Sequence, residues 1–144
     1  MAQAEKSGKS YDVIIIGAGP TGINCGIECQ KARVSYVILE KGLLVNSLYH
    51  FPTNMTFFST SVNLEIGDIP FISHSDKPTR KEALEYYRRL AYSYDLNIQF
   101  NQEVESLQKN SMGYEIKTKK SSFRGQSVII ATGFYDHPLS LIHI

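Results

Sequence analysis

Gly17, Gly19, Gly22 and Glu40 are the residues of this chain whose types and spacing could do chemistry. The three glycines form Gly17-x-Gly19-x-x-Gly22 directly behind an apolar run at residues 13–16, and Glu40 closes a second apolar run at residues 36–39. That pattern holds a dinucleotide. Gly17 suits a tight strand-to-helix turn, Gly19 lets a diphosphate approach the backbone, and Gly22 lets the helix pack close to its strand. The helix that starts in the motif turns its free N–H groups and positive dipole end toward the diphosphate. An acid at Glu40 accepts hydrogen bonds from ribose hydroxyls. A lone glycine motif is weak evidence. Strand, motif, helix and acid in register are strong evidence.

The other candidates carry less. Cys25 and Cys29 sit four residues apart on the expected motif helix, which points both into the packing between helix and sheet; small cysteines are common there. They are also the only thiols that could be nominated for redox work. His50, His74 and His137 have no Cys, Asp or Glu partners at metal-ligand spacing, so no metal site is expected. His50 reads as a solvent-facing loop residue, with a proton-donor role as the sharper alternative. Phe57-Phe58 reads as a plug of a long loop onto the domain. Its neighbours Thr56, Ser59 and Thr60 could reach a bound ring system.

Elements that would position these residues follow from the apolar periods. A strand is expected over residues 12–16, a helix over 21–32 and a strand over 35–40. A long irregular region, 43–77, comes next; such loops are uncommon unless functional. Pro78-Thr79-x-x-Glu82 predicts a capping box, and Ala83, Leu84, Tyr87, Leu90, Ala91 and Tyr94 predict one apolar helix face. Arg80, Lys81, Glu85, Arg88 and Arg89 read as the solvated face. The period then changes to two: strands over 98–100, 104–108, 114–118 and 122–124, and a last one over 127–130 running into Ala131-Thr132-Gly133.

Composition excludes several classes. A net charge of +1 over 144 residues points to neither nucleic acid nor an anionic membrane as partner. No apolar run approaches a membrane span. Residues 1–10 lack the apolar core of a secretory signal and read as a disordered tail. Two cysteines cannot build a disulfide framework, so a reducing cytoplasm is the expected compartment.

A β-meander in place of a crossover helix, leading into Ala131-Thr132-Gly133, resembles the FAD domain of flavoproteins with two dinucleotide-binding domains, the class of thioredoxin and glutathione reductases. Further stretches are similar to the YpdA-type proteins, flavoprotein reductases assigned to bacillithiol disulfide. These are Glu40-Lys41-Gly42, Ser47-Leu48-Tyr49, Phe51-Pro52-Thr53, Thr56-Phe57-Phe58-Ser59-Thr60, Ile66-Gly67-Asp68-Ile69-Pro70-Phe71, Lys77-Pro78 and Ala83-Leu84-x-Tyr86-Tyr87. The similarity runs from about Tyr11 to Asp136. It implies an α/β, Rossmann-like FAD-binding domain with a parallel sheet and a β-meander over residues 11–138, truncated before an NADPH domain.

The resemblance implies FAD contacts at Gly17, Gly19, Pro20, Thr21, Gly22, Glu40, Lys41, Ser47, Val104, Ala131, Thr132 and Gly133. It assigns no catalytic residue. The implied function is the FAD-binding part of an NAD(P)H-dependent oxidoreductase that reduces a small disulfide, homo-oligomeric at full length. A flavin monooxygenase-type enzyme, and a flavin-binding or redox-sensing module without turnover, stand as alternatives. Two departures from the family are expected to matter. Thr21 stands where its best-known members carry a cysteine in the glycine loop, and a hydroxyl cannot form a mixed disulfide. The chain also stops short of the NADPH domain, so alone it is expected not to turn over NADPH. Residues 139–144 do not resemble the family's continuation and read as a non-native tail.

Overall fold

The computed structural model describes residues 9–134. Ten elements follow one another: β1 (Lys9–Ile16), α1 (Pro20–Lys31), β2 (Tyr36–Leu39), α2 (Asn46–His50), α3 (Ser61–Leu64), α4 (Arg80–Ser93), β3 (Ile98–Gln99), β4 (Val104–Asn110), β5 (Gly113–Thr118) and β6 (Ser122–Ile130). The strands make one six-stranded sheet in the order β3-β2-β1-β6-β5-β4. β3, β2, β1 and β6 run parallel, and β4 and β5 continue the sheet antiparallel. β1 begins at Lys9, inside the stretch expected to be a disordered tail. The expected tail at residues 139–144 lies outside the described residues.

The apolar runs of β1 and β2 have a direct cause. Successive strand residues point to opposite faces, and here both faces are covered. Ile14, Val37 and Leu39 are buried with Ile116 and Phe123 of the meander. Ile15, Tyr36 and Ile38 are buried in a second cluster, against which Cys25 and Cys29 of α1 pack. A third cluster joins Ile23 and Ile27 of α1 to Ala83, Tyr86, Tyr87 and Leu90 of α4, with Val45, Leu48 and Phe71 from the intervening loop.

Two expectations change. Residues 122–124 and 127–130 are one strand, β6, not two. Its first half pairs antiparallel with β5, and the whole strand pairs parallel with β1 from Lys9↔Phe123 to Ile16↔Ile130. Gly125 and Gln126 fall between the two strands expected from sequence. In the structure Phe123 and Gly125 face inward while Arg124 and Gln126 face out, which is ordinary strand alternation. The buried face of α4 also differs: it uses Tyr86, whereas Leu84 is only half-buried.

Tyr86 matters because it organises the region expected to be irregular. Its hydroxyl accepts from the Ile66 N–H at 3.0 Å and donates to the Ile69 carbonyl at 2.8 Å. Its ring stacks on Phe71 with centroids 4.3 Å apart. Tyr87 donates to the Leu64 carbonyl at 3.0 Å, and Tyr94 accepts from the Asp68 N–H at 3.0 Å. Two tyrosines of α4 and the tyrosine at its C-cap thus satisfy the backbone of a loop that has little secondary structure of its own.

The capping box of α4 forms as the sequence predicts. Thr79 Oγ1 accepts from the Glu82 N–H at 3.3 Å, and Glu82 Oε2 accepts from the Thr79 N–H at 2.8 Å. Glu82 Oε1 also accepts from the His74 N–H at 2.9 Å. The His74 and Thr79 amides, with the Thr79 hydroxyl, hold the Glu82 carboxyl down at about 2. A carboxyl lowered in the folded state stabilises fully above its unfolded value, and the contribution is lost as pH falls toward the folded one. The denaturation midpoint of the wild type should therefore drop between pH 5 and pH 2 by more than that of Glu82→Gln. Thr79→Ala should cost about 1 kcal/mol at neutral pH. Urea titrations across that range check both; parallel pH profiles for wild type and Glu82→Gln would refute the first.

Candidate cofactor site

The site is built at the C-terminal ends of β1, β2 and β6, where an open α/β sheet offers a crevice. β1 leaves the sheet at Gly17, whose φ of 107° is left-handed space that favours glycine. The turn is braced on both sides. Gly17 N–H donates to the Leu39 carbonyl and Ala131 N–H to the Ile16 carbonyl, each at 2.8 Å. A Cβ on Gly17 would lie 2.4 Å from the Ala131 carbonyl oxygen, and one on Gly22 would lie 1.9 Å from the Gly17 carbonyl oxygen. Both glycines are therefore needed for close packing.

Gly19 is different. A Cβ there would meet nothing within 4 Å. Its direction opens into a cleft of about 670 Å³ that Gly19 itself lines. α1 begins at Pro20, which needs no N–H partner at the first helical position. No side chain caps the helix, so its first-turn N–H groups remain available to an anion at the loop.

The same cleft is lined by every residue expected to contact cofactor except Gly22: Gly17, Gly19, Pro20, Thr21, Glu40, Lys41, Ser47, Val104, Ala131, Thr132 and Gly133. Gly22 lies one layer back, where its role is packing. A Cβ on Gly133, at the end of the sheet, would sit 3.8 Å from Ser47 Oγ. α2 and the exit of β6 therefore face each other across one end of the cleft. Glu40, Lys41, Gln102, Glu103 and Val104 line it as well.

Glu40 is buried, and its carboxylate has a task the sequence does not reveal. Oε2 accepts from the Ala18 N–H at 2.8 Å and Oε1 from the Gly42 N–H at 2.7 Å. The side chain thereby ties the glycine loop to the turn after β2. A carboxylate has about four acceptor positions, so two remain for the ribose hydroxyls that the sequence assigns to it.

Other expectations separate. Phe57 lines the cleft and packs on the core, while Phe58 is 91% exposed. Thr56 bridges to Thr79, Thr60 caps α3 by accepting from the Asn63 N–H, and Ser59 is exposed; none lines the cleft. His50 is exposed, edge-on to Tyr49, and is also absent from the lining. Cys25 and Cys29 are half-buried at the margin of the helix–sheet packing rather than inside it. Burial pushes both thiols above their usual range, which disfavours the thiolate. The lining residues that sequence reasoning passed over are chiefly Asn46, Gln102 and Glu103. The signal for the last two was their place just after β3, at the same end of the sheet as the glycine loop.

A glycine loop, a buried acid closing β2 and a cleft at the strand ends define a dinucleotide-binding domain of Rossmann type. The profile of the pyridine nucleotide-disulphide oxidoreductase family matches residues 14–142, and the chain belongs to that family. The bacilliredoxin reductase Bdr of Bacillus subtilis is 40% identical over 126 residues, 87% of this chain and 39% of that protein. The structure of bacillithiol disulfide reductase Bdr (YpdA) from Staphylococcus aureus superposes with a TM-score of 0.88 at 38% identity, over 92% of this chain and 41% of that one. A flavin-containing monooxygenase from Stenotrophomonas maltophilia superposes with a TM-score of 0.83 at 24% identity, over 92% of this chain and 41% of that one. That likeness shows the fold alone. The chain spans about two fifths of the length of these relatives.

Proposed function

We propose that this chain is the FAD-binding part of an NAD(P)H-dependent flavoprotein oxidoreductase that reduces a low-molecular-weight disulfide of the bacillithiol type. The observation that carries the reading is the convergence of the glycine loop, Glu40, Ser47 and Ala131-Thr132-Gly133 on one cleft. Identity of 40% and 38% to two proteins named as Bdr reductases favours this chemistry over a monooxygenase.

The residues present fit FAD. Gly19 leaves an open path to the backbone, and the uncapped first turn of α1 offers N–H donors to the diphosphate. Glu40 keeps acceptor positions for the adenosine ribose, with Lys41 beside it. Gln102 to Val104 and Ser47 with Ala131 to Gly133 line the cleft as well; the first group would wall the base end of the cofactor and the second its flavin end. When bound, the flavin supplies the two-electron relay between a nicotinamide and a disulfide; the protein's share is binding, orientation and exclusion of solvent. The nicotinamide site is proposed to lie in a segment beyond the described residues, so residues 9–134 alone do not oxidise NADPH. The parent enzyme is proposed to be cytoplasmic and homo-oligomeric. Among the described residues, no helix is long and apolar enough to cross a membrane.

The test is the visible spectrum of the full-length protein together with NADPH oxidation against a panel of disulfides. Flavin bands and disulfide-dependent oxidation are expected. No flavin uptake on reconstitution with FAD, or an oxidase rate that no disulfide raises, would remove the proposal.

Thr21 and the two cysteines give a second prediction. Cys25 and Cys29 do not line the cleft and their thiols are raised. Cys25→Ala and Cys29→Ala should each keep most of the disulfide reductase rate, with any loss appearing as lower stability. Turnover normalised to flavin content decides it. A cysteine whose removal abolishes turnover at full flavin occupancy would be a redox thiol after all.

A further inference from the structure

Arg80 reads in sequence as one of several charges on the solvated face of α4. Its guanidinium is engaged instead. Nε donates to the Leu48 carbonyl at 3.0 Å, a terminal N–H donates to the Tyr49 carbonyl, and the guanidinium carbon lies 5.6 Å from the centre of the Tyr49 ring. Its own backbone is fixed as well, because the Arg80 N–H donates to the Met55 carbonyl at 2.9 Å.

Leu48 and Tyr49 belong to the last turn of α2, a five-residue helix. The final carbonyls of a helix have no partner within it, and so short a helix does not hold itself. The Leu48 carbonyl also accepts from the Phe51 N–H at 3.3 Å; the guanidinium adds a shorter bond there, supplies the donor at the Tyr49 carbonyl and complements the negative end of the helix. The opposite end of α2 is also held. Val45, its N-cap, has φ 49° and ψ 44°, a conformation that a β-branched residue adopts only under constraint. The constraint is visible: Val45 is 1% exposed, and its N–H donates to the Ala18 carbonyl at 3.0 Å. α2 is thus fastened to the glycine loop at one end and to Arg80 at the other. Between the two fastenings it presents Asn46, Ser47 and Leu48 to the cleft, with Ser47 facing Gly133. Arg80 itself does not line the cleft.

We infer that Arg80 is a positioning residue for the flavin end of the cofactor site, acting through α2. The inference rests on the FAD reading given above. Without the guanidinium, the Tyr49 carbonyl loses its donor, the Leu48 carbonyl keeps only the longer bond from Phe51, and the strained Val45 turn can relax, so the α2 wall of the cleft is no longer held against the exit of β6. Lysine is a poor substitute, since its ammonium cannot bridge two carbonyls in a planar fork while stacking on Tyr49.

The experiment compares FAD and ADP binding by the full-length protein carrying Arg80→Met or Arg80→Lys. ADP probes the diphosphate and base end only. Arg80→Met is expected to weaken FAD by about tenfold or more while ADP affinity stays within about twofold, since the glycine loop keeps its own tie from the Ala18 N–H to Glu40 when α2 loosens. The bound flavin's visible bands and fluorescence quenching should change in the same variant. Arg80→Lys should restore less than half of the loss, and it carries the same comparison if Arg80→Met does not fold. Parallel loss of FAD and ADP would reduce Arg80 to a general fold contact, and unchanged FAD affinity and spectrum would remove the role altogether. A wild type that binds ADP but no FAD overturns the flavin reading and this inference with it; a wild type that binds FAD with variants that match it overturns this inference alone.

Discussion

Gly19→Val is expected to give a folded protein that cannot be loaded with FAD. The backbone at Gly19 has φ −77° and ψ −179°, extended geometry that valine favours. A Cβ there meets no protein atom within 4 Å, so the apoprotein has no reason to lose stability. The added methyl groups occupy the space a diphosphate needs. FAD affinity should fall by about a thousandfold or more, equivalent to ~4 kcal/mol. Flavin content per chain and the apoprotein unfolding midpoint are the two measurements. Gly22→Ala should behave oppositely. Its Cβ would lie 1.9 Å from a backbone oxygen, so folding fails before any ligand is involved. A yellow, fully loaded Gly19→Val protein would falsify the placement of the diphosphate.

Glu40→Ala should be the most damaging change outside the glycines, and for a reason that needs no ligand. It removes the acceptor for the N–H of Ala18, a fully buried residue, and for that of Gly42. Each orphaned donor costs about 1–3 kcal/mol, so a loss of roughly 3 kcal/mol or more in urea unfolding is expected. Glu40→Gln keeps a single acceptor oxygen, turns an NH₂ toward the other donor, and should fall in between. Flavin binding should weaken in both. Glu40→Arg should also weaken FAD, whose ribose has no 2′-phosphate to meet the guanidinium. If Glu40→Arg instead bound NADPH tightly at this domain, the site would be a nicotinamide site.

What the sequence shows and hides has a physical pattern. β1, α1, β2 and the α4 cap are legible because each depends on local spacing: apolar period, a glycine turn, or a capping box four residues long. The lining of the cleft is legible because most of it follows from the glycine motif and from a family resemblance over most of the chain. What is not legible depends on partners distant in sequence. The Arg80 clamp on α2 joins residues about thirty apart. Glu40 can be assigned to a ribose by type and place, but its bonds to Ala18 and Gly42 require the folded loop. The break placed inside β6 fails for the same reason, since pairing with β1 and β5 shows the chain to run through Gly125 as strand. Cys25 and Cys29 sit at the edge of a layer that a helical wheel would fill.

The place of β6 beside β1 governs how this domain can emerge from a ribosome. Of the described strands β1 is made first, yet the strand hydrogen-bonded to it from Lys9↔Phe123 to Ile16↔Ile130 is made last. At roughly 5–20 residues per second, the nascent chain waits on the order of ten seconds between the two. During that interval one edge of β1 has no partner, and the meander that covers Ile14, Val37 and Leu39 is still incomplete. An unpaired apolar strand edge is a template for wrong pairing, and a contact this distant in sequence is slow to close. Nascent chains stalled before β6 should therefore be strong chaperone clients. Those extended past residue 130 should release their chaperones and gain protease resistance in a single step.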